Sequence, residues 1–216
     1  MKHNYKYFII IFCIAIGQET IGPNLYNQDL IDFLQNNYKT NYTLSYANAR
    51  DILYSQIDID NNNKVYCVYT NYNVTLPPDP DIDPSTFLYE NGMNCEHVWP
   101  QSLYDDEGMG NNSPMRCDMH HLRPCKENAN SYRSNKPFNE SPDNLTNNWL
   151  WLSYNYNGNN IPTNDIDEYS ENGSFVFEPR EDKKGDIARS IFYFYTIYTD
   201  VADDSFFEQQ KDILFN

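Results

Sequence analysis

Apolar residues recur at helical spacing twice in this chain. Over residues 46–57, Ala47, Ala49, Ile52, Leu53 and Ile57 fall on one stripe, and from Ile187 onward Ile187, Ile191, Phe194, Tyr195 and Tyr198 form another. Both predict helices that face a core. Residues 28–34 and 205–215 read as further helices, the second closing the chain. The β-branched and aromatic run over 64–70 predicts a strand. Residues 96–99 predict a short strand ended by Pro100, and 119–122 its partner after a long loop through Gly108 and Gly110. A short helix over 126–133 then stops before Pro137, and 175–177 form an edge strand. Between these lie segments without periodicity. The proline-rich stretch 77–84 is a solvated loop, because each proline fixes its own backbone and restricts the residue before it. The Asn- and Gly-rich stretch 144–167, with Trp149 and Trp151, reads as an irregular excursion. Asp58, Asp60 and Asn62 imitate the start of a calcium loop, but its sixth position lacks Gly and Tyr69 occupies the twelfth, so they form a turn. There is no internal repeat, and the mixture predicts one α+β domain.

The N-terminus changes the picture of where that domain resides. Lys2, His3 and Lys6 lead into an apolar run over 8–16, followed by polar sequence. A membrane-spanning helix needs about 20 apolar residues and this run is about half that, so residues 1–17 read as a signal peptide and 18–216 as the mature domain. A secreted protein without stable membrane association follows, expected as a monomer. Cys13 leaves with the leader, and Cys67, Cys95, Cys117 and Cys125 permit two disulfides in three pairings. A weak preference falls on Cys117 with Cys125 and Cys67 with Cys95. Sequons at Asn41, Asn73, Asn111, Asn139, Asn144 and Asn172 would allow glycosylation, although in a chain so rich in Asn several arise by chance. The formal charge of -16, two units more negative without Lys2 and Lys6, opposes nucleic-acid binding of the usual phosphate-neutralising kind. Locally the balance reverses: residues 116–136 hold Arg116, Arg123, Lys126, Arg133 and Lys136 against Asp118 and Glu127.

That basic segment adjoins the candidate chemistry. Asn94-Cys95-Glu96-His97-Val98-Trp99-Pro100 is followed by Asp118-Met119-His120-His121-Leu122-Arg123-Pro124 and by Asn130-Ser131-Tyr132-Arg133-Ser134-Asn135. An adjacent carboxylate and imidazole, a second His segment and a carboxamide near a guanidinium are what metal-assisted phosphodiester cleavage requires. Such a reaction needs oxygen ligands for a hard cation, a neutral imidazole to take a proton from water, and positive charge for the phosphate.

These segments resemble the endonuclease I family of nucleases with the His-metal (ββα) finger, and most of all its secreted bacterial-type members. Residues 96–102, 118–122 and 130–138 match, as does Lys184-Gly185-Asp186-Ile187-Ala188-Arg189 followed by Phe192-Tyr193-Phe194-Tyr195, so the similarity runs over residues 46–194. It implies a ββα-metal core, whose order of strand, long loop, strand and helix is the one expected here, set among helices. It implies His97 as general base and Glu96 with Asn130 as ligands of one Mg²⁺-type ion, with Ca²⁺ or Mn²⁺ as substitutes. For Asn130 the bland alternative is a helix-surface or capping amide. Arg133, three residues on, would clamp phosphate or pair with Asp118, and Arg116 and Arg189 are further phosphate candidates, Arg189 with an anchoring role as its rival. One of His120 and His121 would orient a ligand or the base. The resemblance also implies a C-terminal stretch with an Asn-Arg-Asn-Pro-Phe-like motif, which this sequence lacks. Together these give a secreted, sugar-non-specific endonuclease acting on DNA, RNA or both and leaving 5′-phosphates. Two rivals remain: a zinc-binding secreted protein using Cys95, His97, Cys117, His120, His121 and Cys125, and a non-catalytic binding module on a nuclease scaffold.

Overall fold

A computed structural model describes residues 20–40, 44–104 and 110–215. The leader, the Asn41 sequon and Gly108 lie outside the described residues. The architecture is α+β. Helix α1 (Asn27–Tyr38) lies on the surface, and α2 (Tyr46–Ile52) runs on through a wider π turn over Leu53–Ile57, so the expected helix over 46–57 is continuous. Hairpin β1 (Lys64–Tyr66) and β2 (Asn73–Thr75) follows; the strand expected to reach residue 70 stops early because Cys67–Asn71 turn back, with Asn71 at φ 58°. Helix α3 (Pro84–Glu90) begins where the proline-rich loop ends: Asp83 caps it, accepting from the Thr86 N–H, and Pro84 occupies the first turn, where no amide hydrogen is needed. Pro84, expected in the solvated loop, is thus the first residue of a helix.

Strand β3 (Met93–His97) pairs antiparallel with β4 (Leu122–Lys126), and α5 (Glu127–Arg133) leaves β4 directly and packs against both strands. Between the strands, α4 (Pro114–Cys117) is capped by the Ser113 hydroxyl. The partner strand lies three to four residues later than expected. Asp118 causes the shift: its carboxylate and carbonyl capture the N–H groups of His120 and His121, so residues 118–121 form a turn.

The stretch 144–167 is the main correction to the fold. It contains hairpin β5 (Thr146–Trp151) and β6 (Tyr154–Asn157), which joins β7 (Ser170–Gly173) and β8 (Phe177–Glu178) in a four-stranded antiparallel sheet of order β6-β5-β7-β8. Asn residues suggested loop, but here they face one another across the strands. Tyr132 on α5, Asn155, Asn148, Asn172 and Lys136 form one continuous chain of side-chain hydrogen bonds. Asn172 is buried in that chain, so this sequon is closed to a glycan in the folded protein.

Helix α6 (Lys184–Ile197) presents the expected stripe, with Ile187, Ile191, Phe194 and Ile197 buried. The expected last helix is two short ones, α7 (Asp204–Glu208) and α8 (Lys211–Phe215). Trp99 is the hub between these helices and the site. It is fully buried, stacks on Phe194 at 4.9 Å, meets Phe206 edge-on at 5.1 Å, and donates its indole N–H to the Leu103 carbonyl. Among the described residues no helix is long and apolar enough to cross a membrane.

Among the described residues Cys67, Cys95, Cys117 and Cys125 are all buried, and Cys67 faces Cys125, with their sulfurs 4.0 Å apart. This contact belongs to neither of the preferred pairings. Sequence separation carried no information on this point, because the β1–β2 hairpin folds across β4, with the Val68 N–H donating to the Pro124 carbonyl.

Replacing Trp99 with Ala should cost about 3–5 kcal/mol through the cavity left and the orphaned Leu103 carbonyl. Urea unfolding of the variant beside the parent measures this, and a cost below 1 kcal/mol would contradict the hub role.

Candidate active site

Successive residues of a strand point to opposite faces, so Glu96 and His97 would diverge in a regular strand. They converge because β3 ends at His97 and the chain bends at once into Val98, Trp99 and Pro100. Glu96, His97 and Asn130 line one cleft of about 290 Å³, together with Cys95, Pro100, Gln101, Ser102, Ser134 and Asn135.

Glu96 sits at the floor, 2% exposed. Its Oε1 accepts the Tyr69 hydroxyl at 2.7 Å and lies 3.4 Å from Nε of Arg133, an ion pair without aligned hydrogen-bond geometry. Burial pushes the carboxyl up to about 7, against the opposing pull of Arg133 and Tyr69. His97 is held at both ring nitrogens. Nε2 lies 3.0 Å from the Arg116 carbonyl, which can only accept, so this nitrogen carries the hydrogen. Nδ1 is therefore the acceptor, and it receives the Gln101 side-chain amide at 3.0 Å. Burial, reinforced by the neighbouring His121, holds the imidazole neutral well below its usual range. Its ring stacks on Tyr46, against which Arg50 and Arg116 both rest their guanidinium groups. Asn130 projects from the middle of α5, and its amide N–H donates to the Cys95 carbonyl at 3.4 Å.

The basic residues do not stand where the sequence suggested. Arg133 is fully buried, and it touches neither phosphate-accessible space nor Asp118. Its guanidinium donates to the carbonyls of Val98 (2.5 Å), Ser134 (3.1 Å) and His97 (3.5 Å) and packs on the Phe138 ring. Arg116 contributes its carbonyl to His97 and spends its side chain on Tyr46. Arg189 is exposed on α6 and paired with Asp186 on the same helix, away from the cleft. No Lys or Arg is among the described residues lining the cleft.

The two histidines of the second segment separate. His121 is fully buried, 5.5 Å from the His97 ring and edge-on to it, with Nε2 bonded to the Met115 carbonyl at 2.6 Å; it packs behind His97. His120 is exposed, stacked on Tyr193 and bonded to Asp118, whose hydrogen bond raises its pKa. Burial would raise the carboxyl of Asp118, but the hydrogen bonds from His120 and Tyr198, with His121 nearby, hold it well below the usual range, and Tyr193 donates to it as well. Asp118 is thus a hub of the α6 interface. Among the described residues no group of three or more His, Cys, Asp or Glu side chains converges, so the zinc alternative finds no ligand set there.

The sequence reading did not single out Gln101, Tyr69 or Tyr46. Gln101 lies inside the matched Glu-His-Val-Trp-Pro-Gln-Ser motif, four residues after His97, and that spacing was its available signal. Tyr69 and Tyr46 carry no local signal, because tertiary packing alone brings them to Glu96 and His97.

His121 makes acid stability testable. Burial lowers its pKa from 6.5 to about 4, so between these values the unfolded chain binds the proton and the folded one does not. The stability conferred is complete above pH 6.5 and is lost as pH falls toward 4, by on the order of 3 kcal/mol. His121→Asn should remove that part of the slope. Parallel urea titrations from pH 7 to 4 test it, and identical slopes would contradict the assignment.

Sequence comparison agrees with this geometry. The model of the family described as Endonuclease I matches residues 26–216. An extracellular ribonuclease of Bacillus subtilis (strain 168) is 33% identical over 113 residues, 52% of this chain and 31% of that protein. An extracellular ribonuclease of Bacillus amyloliquefaciens is 31% identical over 100 residues, 46% of this chain and 27% of that protein. The matched part therefore spans less than a third of the length of these relatives. With the family match extending from α1 to the last residue, the chain belongs to the endonuclease I family.

Proposed function

We propose that the protein is a secreted, metal-dependent endonuclease that hydrolyses phosphodiester bonds of DNA, RNA or both without regard to the sugar and leaves 5′-phosphates. One observation carries this reading: His97, Glu96 and Asn130 share a single cleft, and the basic nitrogen of His97 is the one turned toward its wall at Gln101. Family membership and the naming of two relatives as extracellular ribonucleases support it.

The donor set fits a hard cation. A carboxylate and a carboxamide oxygen, two neutral or anionic oxygen donors with room for water and phosphate beside them, suit Mg²⁺, with Ca²⁺ or Mn²⁺ as substitutes. Glu96 and Asn130 would hold the ion, and when bound it supplies positive charge to the phosphate and to the departing 3′ oxygen. Every other role falls to the chain. The Arg116 carbonyl fixes the tautomer of His97, so Nδ1 accepts a proton from the attacking water. The Gln101 amide occupies the Nδ1 lone pair in this structure and has to turn aside for water to reach it. Tyr69 and Arg133 keep Glu96 turned to the cleft. Strand β3, strand β4 and α5 serve as the ββα-metal core of this reading.

Among the described residues lining the cleft none is cationic, and the chain is acidic, so a bound ion would supply the positive charge that a basic surface supplies elsewhere. Purified protein incubated with supercoiled plasmid and with labelled RNA should cleave at least one, and EDTA should abolish cleavage. His97→Ala should lower the rate by about 10²–10⁴-fold. Cleavage by the variant at the parental rate would remove the proposed base, and full activity in EDTA would remove the ion.

A further inference from the structure

Cys67 and Cys125 meet where the β1–β2 hairpin crosses β4. Their sulfurs are 4.0 Å apart and both side chains are enclosed. Two bonds bracket the contact. The Val68 N–H donates to the Pro124 carbonyl at 2.9 Å, and the Lys126 N–H donates to Cys67 Sγ at 3.1 Å. These bonds involve the residue after Cys67 and the residues on either side of Cys125, so the two thiols cannot slide apart while both hold.

The thiols are also chemically unlike. Burial, the largest influence on Cys67, works against ionisation, yet the hydrogen bonds with Cys125 and the Lys126 N–H outweigh it, with Thr70 and Tyr69 assisting, and bring Cys67 down to about 6. Burial together with the hydrogen bond to Cys67 pushes Cys125 well above its usual value. In the closed protein the two sulfurs are thus coupled through a shared hydrogen bond as well as placed side by side.

We infer that Cys67 and Cys125 form a disulfide in the oxidised protein, tying the β1–β2 hairpin to the strand–strand–helix unit that carries the cleft. The co-reactant is a small disulfide such as oxidised glutathione, acting before the two segments close over the sulfurs. The Cys67 thiolate attacks one glutathione sulfur, forms a mixed disulfide and expels a glutathione thiolate. That thiolate takes the Cys125 proton. The Cys125 thiolate then attacks Cys67 Sγ and expels the second glutathione, which takes up the proton Cys67 had released. Two electrons and two protons pass from the protein dithiol to the glutathione disulfide, giving one protein disulfide and two glutathione thiols. Tyr69, two residues beyond Cys67, donates to Glu96, so the cross-link also fixes the hydroxyl that steers that carboxylate.

The full chain is refolded from reduced denaturant with oxidised glutathione, its remaining thiols are alkylated in denaturant, and it is digested without reductant for mass spectrometry. A peptide joining Cys67 to Cys125 is expected. Alkyl label on both residues, or linkage of either one to Cys95 or Cys117, overturns the inference. Thermal unfolding gives a second reading: reduction should lower the midpoint of the oxidised parent by roughly 5–15 °C. In the double variant Cys67→Ser, Cys125→Ser, reductant should then have no effect. A parental midpoint unmoved by reductant counts against the cross-link, whether or not the variant folds. Neither measurement reads nucleic-acid cleavage, so each can fail while the nuclease reading stands.

Discussion

The cleft depends on one buried cation. Arg133 lies wholly inside the protein at the end of α5, and its guanidinium reaches across to the backbone where β3 ends, bonding the carbonyls of His97 and Val98 while facing the Glu96 carboxylate. A guanidinium has five donors in a fixed plane and cannot lose its charge, so it suits the gathering of several acceptors at one corner. The corner gathered is the bend that turns Glu96 and His97 toward the same space. The same side chain fixes the position of α5, three residues from Asn130. Leaving Glu96 buried without this partner would cost about 3–5 kcal/mol, comparable to a sizeable share of a domain's whole stability. One residue thus relates Glu96 at the floor, His97 and the Asn130 wall of the cleft.

Local pattern exposed what local chemistry determines. The helices over 46–57 and from Ile187, a short strand before Pro100 and the helix before Pro137 follow from periodicity and proline alone, and the structure contains each of them, although Ala47 and Ile57 of the expected stripe are exposed and the strand already ends at His97. The residues of the cleft were legible as types because Glu96, His97 and Asn130 sit in contiguous motifs. What escaped was set by distant partners. Arg133 looked like a phosphate ligand because a sequence shows its charge but not its burial. Asn-rich β5 and β6 looked like loop because Asn disfavours strands in isolation, whereas here each amide finds another across the sheet. The cysteines gave a count and only a weak preference for their pairing, since the crossing of the β1–β2 hairpin over β4 is what sets Cys67 beside Cys125.

The charge balance has a similar explanation. The basic stretch from Arg116 to Lys136 stood out against an acidic chain, yet most of those side chains face inward or along the protein. Arg116 lies on Tyr46, Arg123 binds the carbonyls of Met119 and Leu122, Arg133 is enclosed, and Lys136 binds Asn172 and the Gly173 carbonyl. The segment is basic because it must hold many carbonyls at a tight junction of strand, turn and helix. Positive residues near a reactive motif can thus serve the architecture as readily as the substrate.

The row of amides that joins α5 to the sheet has a mechanical corollary. Tyr132 and Lys136 fasten the C-terminal end of α5 to Asn155 and Asn172, while Arg133 fastens the same end to β3. The helix is thereby clamped between two bodies, and Asn130 rides on it as a lever. Any rocking of the sheet against β3 would widen or narrow the gap facing Glu96, so the rigidity of a sheet with no residue in the cleft sets how sharply that gap is defined.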